Sequence, residues 1–129
     1  MIVVDASALI EAMLFKGPAS ERLQQELLCA PYLVDVEFVS AIRWNLRHGN
    51  VEPHAAHDAL EEFMAADVLR YTHDWLLGRA WELRENLTPY DALYVALAEA
   101  LDEVLVTADA GIAKAPGIQA RVEVLPVGG

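Results

Sequence analysis

Four acidic residues of this chain stand where chemistry is expected, and each sits beside an apolar run. Asp5 directly follows Ile2-Val3-Val4, and Asp109 comes just after Val104-Leu105-Val106-Thr107. Asp91 and Glu99 are the only charged residues between Pro89 and Leu101. Glu37 has Leu33, Val34, Ser40 and Ala41 as its neighbours at helical spacing. A carboxylate in such surroundings needs a partner, because an unpaired buried charge is strongly disfavoured or shifts its pKa. Arg43 and Arg47 share the helix of Glu37, but six and ten residues on they are not its neighbours. A divalent cation would satisfy all four acids together. Mg²⁺ and Mn²⁺ take oxygen ligands. In paired sites about 3.5–4 Å apart, such ions clamp the attacking and leaving oxygens of a phosphodiester.

The same acids also have ordinary structural roles. An Asp after a strand often caps the next helix. Thr88-Pro89-Tyr90-Asp91 resembles a capping box with proline at the first helical position. His54 and His57 lie three apart on a predicted helix, but with no Cys or third His nearby they read as surface residues. Arg43, Trp44, Arg47, Arg79 and Arg84 suit an ordinary helix surface at least as well as contact with phosphate or a partner. Trp75 and Trp81, with Leu76, Leu77 and Leu83, read as core and subunit interface, and Met13 and Met64 as core filler.

The elements that must position the acids follow from the pattern of apolar residues. Strands are expected at Ile2–Val4, Ala30–Leu33, Val68–Tyr71, Val104–Thr107 and Val122–Leu125. Helices are expected from Ala8 to Leu14, Ser20 to Leu28, Val34 to Arg47, Pro53 to Ala65, Trp75 to Glu85 and from Thr88-Pro89 to Leu101. His48-Gly49-Asn50 closes the third of these in the manner of a glycine C-cap. Strands alternating with helices predict a mainly parallel sheet covered on both faces. In such sheets ligands bind at the carboxyl ends of the strands, near the point where strand order reverses. Asp5 and Asp109 both sit at strand carboxyl ends.

Composition narrows the class. A chain of 129 residues, 55% hydrophobic, is expected to form one domain spanning 1–129 with a real core. The net charge of −11 argues against a general nucleic-acid binder and fits divalent cations, a basic protein partner or plain solubility. A single cysteine, Cys29, makes no internal disulfide and reads as a small buried residue. No signal peptide and no run long enough to span a membrane is visible, so the cytoplasm is the expected location.

Val3-Val4-Asp5-Ala6-Ser7-Ala8-Leu9, then Glu37 early in an apolar helix, resemble the PIN-domain ribonucleases. The segments Leu87-Thr88-Pro89-Tyr90-Asp91-Ala92-Leu93-Tyr94-Val95-Ala96-Leu97-Ala98 and Leu105-Val106-Thr107-Ala108-Asp109 continue the match, which covers essentially the whole chain. Within that family the sequence resembles the VapC toxins of toxin–antitoxin pairs. The resemblance implies a three-layer α/β/α sandwich and Mg²⁺- or Mn²⁺-dependent endoribonuclease activity. It also implies a homodimer neutralised by a VapB-type antitoxin. Asp5, Glu37, Asp91 and Asp109 match the family's acids, with Asp5 and Asp91 as principal metal ligands. Ser7 and Thr107 match hydroxyl positions that orient ligands or water. The implied reaction is in-line attack of activated water on an RNA phosphodiester, leaving a 5′-phosphate and a 3′-hydroxyl.

Three other readings are weaker. A PIN-like module that binds RNA or protein without cutting has no need of all four acids. A phosphatase with Asp5 as nucleophile wants a second acid two residues on, where Ser7 stands. A phosphoacceptor receiver wants a lysine after a late strand, and Lys114 is poorly placed for it.

Overall fold

The computed structural model describes residues 1–127, so the last two residues of the expected 1–129 unit lie outside the described residues. The strands are β1 (Ile2–Val4), β2 (Leu28–Pro31), β3 (Val68–Tyr71), β4 (Leu105–Thr107) and β5 (Val122–Val124). They form one sheet, parallel throughout, in the order β3-β2-β1-β4-β5. Helices α1 (Ala6–Met13) and α2 (Pro18–Gln24) join β1 to β2, and α3 (Val34–Arg47) and α4 (Pro53–Ala65) join β2 to β3. A 3₁₀ turn at Asp74–Leu76, then α5 (Leu77–Glu82) and α6 (Pro89–Leu101), lead to β4, and α7 (Ala110–Lys114) leads to β5.

Parallel strands need crossovers, and right-handed crossovers decide which face each helix covers. The chain steps outward from β1 through β2 to β3, then returns to the other side of β1 to lay down β4 and β5. That reversal sends helices to both faces. Helix α1 packs on α2, α3 and α4, while α6 pairs with α5 and lies across β1, β2 and β4. The architecture is a three-layer α/β/α sandwich. Helix α6 is buried without a break from Ala92 to Ala98, which explains why its sequence is apolar nearly all round.

Two helix expectations are corrected. The predicted helix Ser20–Leu28 stops at Gln24, and the strand begins at Leu28 and not at Ala30. Leu28 is paired on both sides, opposite Ile2 of β1 and Val68 of β3, and two strand ladders outweigh local helix preference. The predicted helix Trp75–Glu85 is a 3₁₀ turn followed by six helical residues. Its buried stripe is Leu76, Ala80 and Leu83, whereas Leu77 is exposed. Trp75, Trp81 and Met64 are also exposed, so none of the three belongs to the core. Met13 and Cys29 are buried as expected. Burial pushes the Cys29 thiol up to about 11, which keeps it protonated and inert.

Candidate active site

The site lies at the carboxyl edge of the sheet, at the reversal of strand order between β1 and β4. In the ladder, Val3 pairs with Leu105 and Val4 with Val106, so Asp5 and Thr107 come next to each other one step further on. Asp5 caps α1, its Oδ1 accepting from the Ala8 backbone N–H at 2.9 Å. Asp109 caps α7, accepting from the Gly111 N–H at 2.8 Å. Glu37 lies in the first turn of α3. Asp91 lies in the first turn of α6, where the Thr88 hydroxyl accepts from its backbone N–H at 3.2 Å. The capping readings of Asp5, Asp109 and the Thr88 box therefore hold, and they are compatible with a shared site. Four helices begin where the acids meet, and the positive ends of their dipoles favour negative charge there.

Asp5 is the most constrained member, being only 5% exposed. Its Oδ1 also accepts from the Ser7 hydroxyl at 2.7 Å, and its Oδ2 accepts from the Thr107 hydroxyl. Ser7 in turn accepts from the Ala108 N–H, and Thr107 from the Asp109 N–H. The two hydroxyls thus tie the end of β1 to the loop after β4. Three donors fill three of the roughly four lone-pair directions of the Asp5 carboxylate, leaving about one for a further partner.

Burial is the largest influence on three of the acids, and it disfavours their charged forms. It raises the Asp5 pKa against the Thr107 and Ser7 hydrogen bonds, with Asp109 adding to the rise. Asp91 is raised by burial, then by the charges of Asp109 and Asp5. Glu37 is raised by burial and by the charges of Asp91 and Asp5, against the pull of the Tyr94 hydroxyl. The acids come from both helical layers, and the charges of Asp5 and Asp91 reach both Glu37 and Asp109.

None of the nine Lys and Arg residues forms an ion pair with these acids among the described residues. Arg22 holds Glu123, Arg70 holds Asp35, Arg79 holds Glu99, and Lys16, Arg84 and Arg121 pair with Glu62, Glu85 and Asp102. Among the described residues Arg43, Arg47 and Lys114 are outside any such pair. The donor set is therefore oxygen-only, negative and uncompensated, which suits a hard divalent cation. Among the described residues no three of these side chains already stand in a closed metal-binding arrangement.

One participant escaped the sequence reading. Tyr94, three residues after Asp91, is 1% exposed, and its hydroxyl has no hydrogen bond of good geometry. It nonetheless lies near enough to Glu37 for each to shift the other, and burial raises its own pKa, so it keeps its proton. The only sequence signal was its helical spacing from Asp91. A hollow lined by Ala12, Met13, Leu23 and Leu28 lies between α1, α2 and the end of α4, away from the acids.

The molecule is a parallel α/β/α protein with carboxylates at its strand-order reversal, where such sheets bind their ligands. The PIN domain matches residues 2–118. The VapC ribonuclease Mb0985 of Mycobacterium bovis is 41% identical over 126 residues, covering 98% of this chain and 99% of that protein. Among solved structures, PAE2754 from Pyrobaculum aerophilum superposes with a TM-score of 0.69 at 31% identity, covering 95% of this chain and 83% of that one. A toxin–antitoxin complex from Klebsiella pneumoniae shares the fold, with a TM-score of 0.65 at 20% identity over 96% of this chain and 97% of its own. The chain belongs to the PIN-domain family, among the VapC ribonucleases.

Proposed function

We propose that this protein is the toxin of a toxin–antitoxin pair, an endoribonuclease that hydrolyses RNA phosphodiester bonds with Mg²⁺ or Mn²⁺. The observation that carries the reading is the uncompensated set Asp5, Glu37, Asp91 and Asp109 at the strand-order reversal, in a chain 41% identical to a named VapC ribonuclease. Asp5 and Asp91 are the principal cation ligands, and Glu37 and Asp109 complete the set. When bound, the cation supplies Lewis acidity toward the phosphate and lowers the pKa of water.

The chain's own groups do the rest. Ser7 and Thr107 fix the Asp5 carboxylate so that one lone-pair direction stays available. The Thr88 cap holds the start of α6, and with it Asp91. Tyr94, kept protonated by burial, offers its hydroxyl to Glu37. Nothing in this set is a ready protein nucleophile, so water attacks the phosphorus and the 3′-oxygen leaves with a proton. A 5′-phosphate and a 3′-hydroxyl result.

The cognate inhibitor is a VapB-type antitoxin whose basic segment enters the acidic pocket, a reading supported by the −11 charge. A homodimer is supported by exposed Val36, Val39, Leu77 and Trp81 on α3 and α5. Among the described residues no helix is long and apolar enough to cross a membrane, in keeping with a cytoplasmic site of action. The test is incubation of the purified protein with total cellular RNA in Mn²⁺ or in EDTA, followed by mapping of the ends. Discrete cuts bearing 5′-phosphates only with Mn²⁺ are expected. Intact RNA under both conditions would overturn the reading in favour of a non-catalytic PIN-like module.

A further inference from the structure

Two helix stripes leave the acidic site side by side. On α1 and just beyond it, Ser7, Glu11 and Phe15 are spaced four residues apart, and on α3 so are Glu37, Ala41 and Asn45. Ser7 and Glu11 therefore share one face of α1, as Glu37, Ala41 and Asn45 share one face of α3, and Phe15 follows the end of α1. Between the stripes lies an open groove of about 460 Å³, which Asp109 borders at the site end and Phe15 at the other. From Ser7 to Glu11 the helix advances about 6 Å at 1.5 Å per residue. Glu11 and the small side chain of Ala41 both line the groove.

The groove holds an acid and an aromatic ring, Glu11 and Phe15. Glu11 is half-buried and, among the described residues, has neither an ion pair nor a side-chain hydrogen bond. Phe15 is 40% exposed although it is a large apolar ring. An aromatic face beside a free carboxylate is a base-binding arrangement, since any base can stack on the ring. A carboxylate accepts two parallel hydrogen bonds, and guanine alone among the four bases presents two adjacent donors, N1–H and N2–H₂, on its Watson–Crick edge. A base is neutral and meets no charge repulsion from Glu11, unlike a phosphate.

We propose that this groove is a guanine subsite flanking the scissile phosphate, in which Phe15 stacks on the base and Glu11 reads its Watson–Crick edge. The inference rests on the ribonuclease reading above. It makes Glu11 a specificity-determining residue.

The test uses the full chain with Mn²⁺ and a randomised single-stranded RNA pool, with all cut ends sequenced. Wild type is expected to enrich guanine at one fixed position beside the cut. Glu11→Ala and Phe15→Ala should lower that preference about tenfold while cutting continues. Inosine, which lacks the N2 amino group, should slow wild type about tenfold at that position and leave Glu11→Ala unaffected. Glu11→Gln, which keeps the shape and loses one acceptor, should fall between, so a poorly folded alanine variant does not end the test. Cleavage by wild type without guanine preference would overturn the subsite and leave the ribonuclease reading standing. Unchanged preference in Glu11→Ala, with weakened binding of a basic peptide, would assign the groove to a protein partner instead. No cleavage of the pool by wild type would overturn both readings.

Discussion

The Thr107 hydroxyl shows how much one small group can hold in this site. It is fully buried, donates to Asp5 and accepts from the Asp109 N–H, so a single oxygen fixes two of the four acids. Thr107→Val keeps the shape and strips Asp5 of a donor. It should destabilise the protein by about 1–3 kcal/mol in urea unfolding and weaken Mn²⁺ binding. Asp91→Asn should behave in the opposite way. The raised Asp91 pKa means that the folded state binds its proton more tightly than the unfolded chain, whose value is near 3.8. Metal-free stability therefore falls as pH climbs through that value toward the folded one, and the loss is complete above both. The Thr88 bond uses the backbone of residue 91 and survives the substitution. Metal-free Asp91→Asn should thus melt at or above wild type at neutral pH, with the two converging at low pH. A variant melting well below wild type would make Asp91 chiefly a helix-start residue. At this scale the acids were legible by type and by the apolar runs around them. Ser7 and Thr107 were legible only through the family resemblance. Tyr94 was not, because what distinguishes it is Glu37 on a helix in the opposite layer, and no local spacing encodes that approach.

The helices set the geometry by where they start. Thr88→Ala removes the acceptor at the head of α6 and should cost about 1 kcal/mol of stability. It should also slow cleavage, because the first turn that carries Asp91 frays. A variant as stable and as active as wild type would show that packing of the buried stretch Ala92–Ala98 suffices to hold the residue. Gly49, at φ +71° after α3, tests the opposite helix end. Open space surrounds it, so Gly49→Ala meets no clash and its cost, about 1–2 kcal/mol, is conformational. Elements with a buried period or a clear stop were read correctly from sequence, as α3 shows with its exposed Arg47 and closing Gly49. The failures came where an apolar run had no period of its own. Leu27-Leu28-Cys29-Ala30 fits a helix end or a strand equally well, and only pairing with β1 and β3 decides it. The stretch after Trp75 failed because Gly78 weakens the helix and the buried residues stop at Leu83.

Across the whole molecule the charges are sorted. Six of the nine basic residues lie in ion pairs with carboxylates outside the site, which leaves the four site acids without a basic partner among the described residues. A cation that binds only the folded state should then stabilise it, by about 2.7 kcal/mol at a hundred times Kd. Thermal melts in rising Mn²⁺ should show that gain in wild type and a smaller one in Asp5→Asn or Asp91→Asn. An equal gain in all three proteins would place the ion elsewhere. The order β3-β2-β1-β4-β5 could not be read from the sequence, which shows alternation and not the side of β1 on which β4 lies. Its consequence could be read, since both Asp5 and Asp109 follow strands. The measurement that bears most directly on the role of the acids is the rate of RNA cleavage by wild type and by folded Asp91→Asn, in parallel, with Mn²⁺ and with EDTA. Wild type should cut with Mn²⁺ and stop in EDTA, and Asp91→Asn should fall by a hundredfold or more (about 2.7 kcal/mol or more of lost transition-state stabilisation). Cutting by Asp91→Asn at the wild-type rate, or cutting by wild type that persists in EDTA, would contradict a carboxylate-held metal centre.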